Sequence, residues 1–245
     1  MLPQPAIRTA TASATHSDTF RRPIPARTTP PAARYPVQGT AAQTPLAQSM
    51  HLMGAVMSYP RNTEIFGEDE HADYVYKVIS GSVRTYKILN DGRRQIGGFY
   101  MPGDIFGLQF ADEHTFSAEA ITDAKVLVVK RSAVTGLAGR DGAVARELFD
   151  ISSRELRRMQ NRVLLLIKSA QERVASFLLE MAERVAAGNV VELPMSRQDI
   201  ADYLGLTIET VSRTLTCLES AAAIEVPTSR RIVLRNRSAL NRLNG

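Results

Sequence analysis

The sequence predicts an α+β chain in three parts: a small antiparallel β-sandwich or barrel, one long helix, and a winged helix-turn-helix. Three observations carry this expectation. Residues 63–131 alternate apolar and polar side chains with period two and are punctuated by glycine. From residue 142 to residue 170 the apolar residues recur at alternating spacings of three and four. Ser196–Glu219, SRQDIADYLGLTIETVSRTLTCLE, carries Ala201, Gly205 and Val211 at the intervals that two helices crossing near a right angle require.

The first 47 residues precede these patterns. They hold eight of the twelve prolines and no periodic apolar signal, so they cannot bury enough surface to offset their ordering entropy. Residues 1–47 are read as a disordered extension. Their Arg-rich, acid-poor, hydroxyl-rich character also suits a transit peptide, and no apolar core for a secretory signal is present. Residues 1–50 hold five arginines against Asp18, while the rest of the chain has 25 basic and 24 acidic side chains. The net charge of +5 therefore describes mainly the tail. A nucleic-acid argument must rest on local features.

The barrel is expected over residues 48–139. Tyr74–Ile79 reads as a strand, Ser80-Gly81 as a turn, and Val83–Leu89 as the returning strand. Asn90-Asp91-Gly92 is the next tight turn, because Asp-Gly tolerates the positive φ of hairpin loops. Gln95–Phe99, Met101–Gly107, Phe116–Ile121 and Lys125–Val129 complete the set. Many short strands with no helix between them suggest a closed antiparallel layer pair.

The long helix is expected over residues 140–169. Phe149, Ser152, Leu156, Met159, Val163, Leu166 and Ala170 form a narrow coiled-coil-type seam, flanked by charged residues such as Arg154, Glu155, Arg157 and Arg158. Such a seam can pack on its own barrel or on a twin. Its length outruns one small barrel, which favours a homodimer through Phe149, Leu156, Met159, Val163 and Leu166. The densest apolar run, Val163–Ile167, lies between Arg162 and Lys168 and is far short of a membrane span.

The winged helix-turn-helix is expected over residues 170–245. A helix over Gln171–Ala186 has Val174, Phe177, Leu178, Met181 and Val185 on one face and stops at Gly188-Asn189. Ser196 caps the next helix with Asp199 as its capping-box partner, Gly205 makes the turn and Thr207 caps the second helix. On that second helix Val211, Leu215 and Leu218 face inward, and Ile208, Glu209, Ser212 and Arg213 face outward. In a DNA major groove Arg213 can fork onto guanine, Glu209 can accept from cytosine, Ser212 permits close approach and Ile208 can touch a thymine methyl. Glu209 and Arg213 can also brace one another at i, i+4. A solvated face with one salt bridge would show the same pair, and it is the Ala–Gly–Val spacing that tips the reading toward DNA. Ser196, Arg197, Thr207 and Thr210 sit where phosphate contacts are expected. Arg230 and Arg231 mark the tip of a hairpin, Ala222–Leu234, that would meet the backbone as a wing, although an uncontacted basic loop reads alike. Residues 196–245 carry seven arginines and five acidic groups, so the basic character is a patch.

In this order of parts the chain resembles the CRP/FNR superfamily of bacterial transcription regulators over residues 50–245, and Tyr203–Arg213 is similar to its FNR and FixK branch. The segments Ile79–Arg84 and Pro102–Gly107 match that family's β-roll, a domain like those that bind cyclic nucleotides. The resemblance implies a TTGAT-type half-site read by Glu209, Ser212 and Arg213, a palindrome for the dimer, and activation by contact with RNA polymerase, with Gln109–Thr115 as a candidate loop. It implies control of low-oxygen, respiratory or nitrogen-fixation genes in the cytoplasm.

Two sensors known in the family are not expected here. The positions comparable to its cyclic-AMP ligands are Leu108 and Phe116-Ser117, which offer neither a ribose nor a phosphate partner. The sole cysteine, Cys217, cannot form a disulfide, a zinc cage or an all-cysteine iron–sulfur ligand set. No cofactor is therefore expected. Cys217 reads as a semi-buried helix residue, with a redox switch as the sharper alternative. His71 and His114 read as exposed barrel-loop residues, with haem ligation as the alternative. The rival to an effector-independent activator is a sensor whose barrel binds a small ligand or haem. No nucleophile–base set, paired-carboxylate motif or phosphate-binding glycine loop points to an enzyme.

Overall fold

The computed structural model describes residues 44–109, 111–185 and 187–244. Helix α1 (Pro45–Met53) starts the described chain, with Thr44 capping it and Leu46, Ala47 and Met50 buried. The extension expected over 1–47 thus overlaps a folded helix at residues 45–47, and residues 1–43 lie outside the described residues. The period-two region did not announce α1, whose proline at the first helical position is the one sequence sign of its start.

Eight strands follow: β1 (Ala55–Tyr59), β2 (Glu64–Phe66), β3 (Tyr74–Ser80), β4 (Val83–Ile88), β5 (Arg94–Tyr100), β6 (Ile105–Phe106), β7 (Ser117–Ala120) and β8 (Ala124–Lys130). They form two four-stranded antiparallel sheets, ordered β1-β8-β3-β6 and β2-β7-β4-β5. The dense run on β8 is explained by burial on both faces. Val126 and Val128 point between the sheets, while Leu127 and Val129 point outward under helices α1, α2 (Arg131–Ala138) and α3 (Gly142–Leu165). Burial of this kind is the dominant favourable term for such a layer. Leu46 N–H donates to Glu147 Oε2 at 2.9 Å and fixes α1 on α3.

Between the sheets the core is aromatic. Phe66, Tyr76, Phe106 and Tyr100 stack with centroids 5.0 to 5.1 Å apart along the chain of neighbours. His114 lies on Phe66 at 3.7 Å and is 1% exposed. Its expected place in an exposed loop is therefore corrected: among exposed neighbours His114 alone is turned inward, held by its N–H donating to Glu70 O and by Asp69 N–H donating to His114 O, each at 2.8 Å. His71 is exposed, as expected.

The expected 140–169 helix ends at Leu165, and Leu166–Ser169 form a turn before α4 (Ala170–Val185). The seam residues Phe149, Leu156, Met159, Val163 and Leu166 are exposed, Phe149 by 71% and Leu166 by 72%. Strand β9 (Val190–Glu192) leads to α5 (Arg197–Leu204), α6 (Ile208–Ser220), the hairpin β10 (Ile224–Thr228) and β11 (Arg231–Leu234), and α7 (Arg237–Asn244). The sheet order β10-β11-β9 makes the hairpin a three-stranded wing base.

One β-bulge joins the roll to the C-terminal half. In the β4–β5 ladder Thr85 faces Gly98 and Tyr86 faces Ile96, so Gly97 has no partner. The extra residue turns Ile96 and Phe99, three apart, to the same side, where both enter the core of α4, α5 and α6. A Cβ at Gly97 would meet Thr85 Oγ1 at 2.8 Å and Phe116 Cδ1 at 2.9 Å, which reserves the position for glycine.

Burial holds the His114 imidazole below the ordinary histidine range, with Glu70 opposing and Arg131 adding to the effect. Neither ring nitrogen has a hydrogen-bond partner among the described residues. The folded state then binds fewer protons than the unfolded one near and below the unfolded pKa of about 6.5, so stability is complete above that pH and is lost as pH falls toward the lower folded value. The thermal midpoint is expected to fall more steeply from about pH 7 to about pH 5 in the parent protein than in His114→Phe. Equal slopes in a calorimetric pH series would contradict this origin.

Candidate nucleic-acid interface

The helix pair is set by its small residues. Ala201 and Val211 are fully buried where α5 and α6 cross. Gly205 takes the left-handed conformation (φ 64°, ψ 41°) and its N–H closes α5 on Ala201 O, a backbone state that a side chain would strain. Thr207 caps α6 by accepting from Thr210 N–H at 3.2 Å. Val211, Leu215 and Leu218 are buried as the pattern expects, joined by Thr214, which the apolar count passed over.

Opposite them, Ile208, Glu209 and Arg213 are exposed and Ser212 is half-buried. The Glu209 carboxyl lies below its ordinary range because its own backbone N–H and the Thr207 hydroxyl donate to it. Arg213 adds only its field, and the i, i+4 ion pair expected between the two does not form. The N-terminal donors of α6 outcompete a long-range fork. Arg213 therefore stands exposed, with no hydrogen bond or ion pair among the described residues. Ser212 Oγ instead accepts from Arg197 Nη1 at 3.3 Å, which ties the start of α5 to the middle of α6.

Ser196 is occupied within its own helix, since Asp199 N–H donates to Ser196 Oγ at 3.1 Å. At the wing, β10 and β11 turn through Ser229 and Arg230; Arg231 Nε lies 3.5 Å from Glu192 Oε1, so Arg230 is the less compensated of the two. Cys217 is exposed, not semi-buried: it lies beside Thr216 on the open face, with Leu218 taking the inward place. In the candidate loop, Arg131 Nη1 donates to Gln109 O at 3.0 Å and to Ala111 O at 2.6 Å.

A charge cluster that the sequence reading missed seats α5 on the roll. Asp199, 3% exposed, accepts from Ser196 N–H (2.9 Å) and Ser196 Oγ (2.8 Å) through Oδ2. Its Oδ1 accepts from Arg84 Nη1 (2.9 Å) and Arg94 Nη2 (2.7 Å), both from the roll. Arg84 also reaches Glu119 and Arg94 also reaches Asp202. Gln95 Nε2 donates to Asp202 O at 2.9 Å. Arg162 of α3 donates to Ile96 O and Gly97 O at the bulge and lies over the Tyr203 ring at 4.8 Å. Arg173 Nη1 donates to Leu204 O at 3.0 Å, and its Nε to Lys168 O at 3.0 Å, which fastens the α3–α4 turn to the end of α5. The faint sequence signal was arginine at 84 and 94 within otherwise half-buried strands.

Residues 56–141 match the cyclic nucleotide-binding domain family and residues 172–243 the Crp-like helix-turn-helix domain family. The nitrogen fixation regulation protein FixK of Azorhizobium caulinodans is 51% identical over 204 residues, covering 81% of this chain and 82% of that one. The chain belongs to the CRP/FNR family, in its FixK-type branch. This makes it a helix-turn-helix DNA-binding transcription regulator. The transcriptional activatory protein AadR of Rhodopseudomonas palustris is 43% identical, over 69% of this chain and 72% of its own length. The structure of FixK2 from Bradyrhizobium japonicum superposes with a TM-score of 0.76 at 51% identity, covering 79% of this chain and 98% of that one. These relatives are regulatory proteins. Among the described residues no helix is long and apolar enough to cross a membrane.

Removing the Asp199 charge leaves two guanidinium groups short of a buried partner. Asp199→Asn is expected to lower stability by about 3 kcal/mol, the lower end for breaking a buried ion pair, because Arg84 keeps Glu119 and Arg94 keeps Asp202. The check is the urea midpoint at unchanged denaturant slope; a shift no larger than that of Asp202→Asn would refute it.

Proposed function

We propose that the protein binds double-stranded DNA as a homodimer at palindromes of TTGAT-type half-sites and activates transcription through contact with RNA polymerase. The observation that carries this is the exposed face of α6. Glu209 is ionised and held by Thr207, Arg213 is unpaired, and Ser212 is steadied by Arg197. Arg213 forks onto guanine, Glu209 accepts from cytosine, and Ile208 lies against a thymine methyl. Arg230 is the readiest phosphate contact; Arg197, Thr207 and Thr210 line the same edge with part of their bonding used within the protein, as do Ser196 and Arg231, and together they set register.

The exposed seam supports the homodimer. Apolar side chains repeated along a helix face are placed there to meet another surface, and a twin supplies the same seam. Two recognition helices then fall about one helical turn apart on the duplex. DNA as the target puts the protein in the cytoplasm. The FixK names of its relatives support a place in nitrogen-fixation or low-oxygen gene control.

The packed interior of the roll supports an effector-independent regulator. Phe66, Tyr76, Tyr100, Phe106 and His114 fill the space between the sheets. A cyclic nucleotide or haem there would have to displace them. Ligand-free, aerobically purified protein is accordingly expected to bind a TTGAT palindrome tightly at fixed salt.

Arg213→Ala is expected to cost about 1–3 kcal/mol on the palindrome and to relax preference at the guanine, while Arg230→Ala weakens all sequences alike. Fluorescence anisotropy on matched and scrambled duplexes separates the two; equal loss for Arg213→Ala on both duplexes would contradict base reading. Leu156→Glu with Val163→Glu is expected to give a monomer by sedimentation velocity and to lose palindrome affinity. A stable dimer in that variant would sink the seam assignment.

A further inference from the structure

An open cleft of about 490 Å³ lies between the C-terminal half of α3 and the packed face of α4 and α5. That volume falls within the range of small-molecule sites. Its floor is apolar, with Leu179 and Leu204 largely covered, and its walls are basic.

The basic groups differ in how they are matched. Arg184 is paired with Asp104 and Glu180, and Arg158 with Glu155. Arg162 donates to carbonyl oxygens alone, and Lys168 Nζ meets only the carbonyl and side-chain oxygens of Asn244 and the Ser176 hydroxyl. Arg154 and Arg157 stand on the cleft wall without a hydrogen bond or ion pair among the described residues. Arg154, Arg157, Arg162 and Lys168 thus turn positive charge into one concavity with no carboxylate bound to any of them among the described residues, against two acidic lining residues, Glu180, which is taken by Arg184, and Glu183. Concave walls of one sign focus potential and draw counter-ions.

The cleft is separate from the two surfaces assigned above. At about 100° per residue, Arg154, Arg157 and Asn161 of α3 point well away from Phe149, Leu156 and Val163, and Lys168 follows in the turn after the helix. A second copy seated on the seam leaves the cleft open. No lining residue comes from α6 or from the wing. The interior of the roll, where the sheets pack, is also elsewhere.

We propose that this cleft binds a nucleoside polyphosphate. Arg154 and Arg157 offer planar forks to phosphoryl oxygens, and Lys168 and Arg162 add charge behind them. Orthophosphate would engage one fork and leave most of the volume unfilled. A chain of phosphoryl groups can engage the Arg154 and Arg157 forks together, one turn apart on α3, and the apolar floor at Leu179 and Leu204 accepts a base. Asn161 and Glu183 supply polar partners for its edge or its ribose.

The experiment is isothermal titration of the full-length protein with ATP, GTP, pyrophosphate and orthophosphate at fixed ionic strength. Saturable binding of a nucleoside triphosphate, weaker for pyrophosphate and weakest for orthophosphate, is expected. Arg154→Ala with Arg157→Ala should raise Kd about tenfold or more, the loss expected when charge-assisted hydrogen bonds are removed. Glu183→Gln should lower it. Palindrome binding by the nucleotide-free double variant should match that of the parent. No saturable binding at millimolar nucleotide, or an unchanged Kd in the double variant, would overturn the site. So would equal competition by orthophosphate, which marks simple ion screening. Loss of DNA affinity on all sequences by the double variant, without nucleotide binding by the parent, would reassign these arginines to DNA phosphates.

Discussion

The carboxylate of Asp199 is where the two halves of the subunit are joined. One of its oxygens caps α5 from within; the other accepts two guanidinium groups from the strands of the roll. Removing a charge from water costs several kcal/mol, and a buried pair seldom adds net stability over an apolar core of the same shape. What the arrangement contributes is direction. Four hydrogen bonds of fixed geometry on one side chain admit a single seating of α5 on β4 and β5. Because α6 crosses α5 at Ala201 and Val211, the seating of α5 also orients the face that carries Arg213.

The hydrophobic contacts reinforce that choice. Ile96, Phe99 and Met101 of the roll lie in one core with Phe177, Tyr203 and Leu204. Arg162 and Arg173 then fasten α3 and the turn after it to the same place through backbone carbonyls. A family whose roll is named for cyclic nucleotides here has that roll packed with its own aromatic rings. The same roll seats the helix-turn-helix through α5.

Much of this was legible beforehand, and for physical reasons. The β-roll showed in period-two alternation, α3 and α4 in three-and-four spacing, and the α5–α6 crossing in Ala201, Gly205 and Val211, because each of these positions is constrained by neighbours close in sequence. Helices α1, α2 and α7 were missed: they are eight or nine residues long, too short to display a period, and are held by tertiary packing. The end of α3 at Leu165 was hidden because the apolar repeat runs on through the turn. Of the Asp199 cluster only the capping box with Ser196 was legible; Arg84 and Arg94 left no more than a faint signal, since they lie more than a hundred residues from Asp199. Glu209 and Arg213 were correctly placed on one face, yet their pairing was not, because Thr207 and the backbone at the helix start are nearer donors. His114 was misread because a polar loop residue can still be drawn under a sheet by its backbone bonds.

The bulge at Gly97 carries a consequence for how such a regulator can diverge. The side of β5 that meets α5 is decided by the count of residues in the strand, one more than its partner supplies. Side chains at Ile96 and Phe99 can be exchanged for others of similar volume without moving the seat. Deleting a single residue there would return the strand to strict alternation and send one of the two to the opposite face. Drift in this lineage should therefore tolerate changes of letter along β5 far better than changes of length, so the spacing between Arg94 and Tyr100 is itself a heritable part of the DNA-binding apparatus.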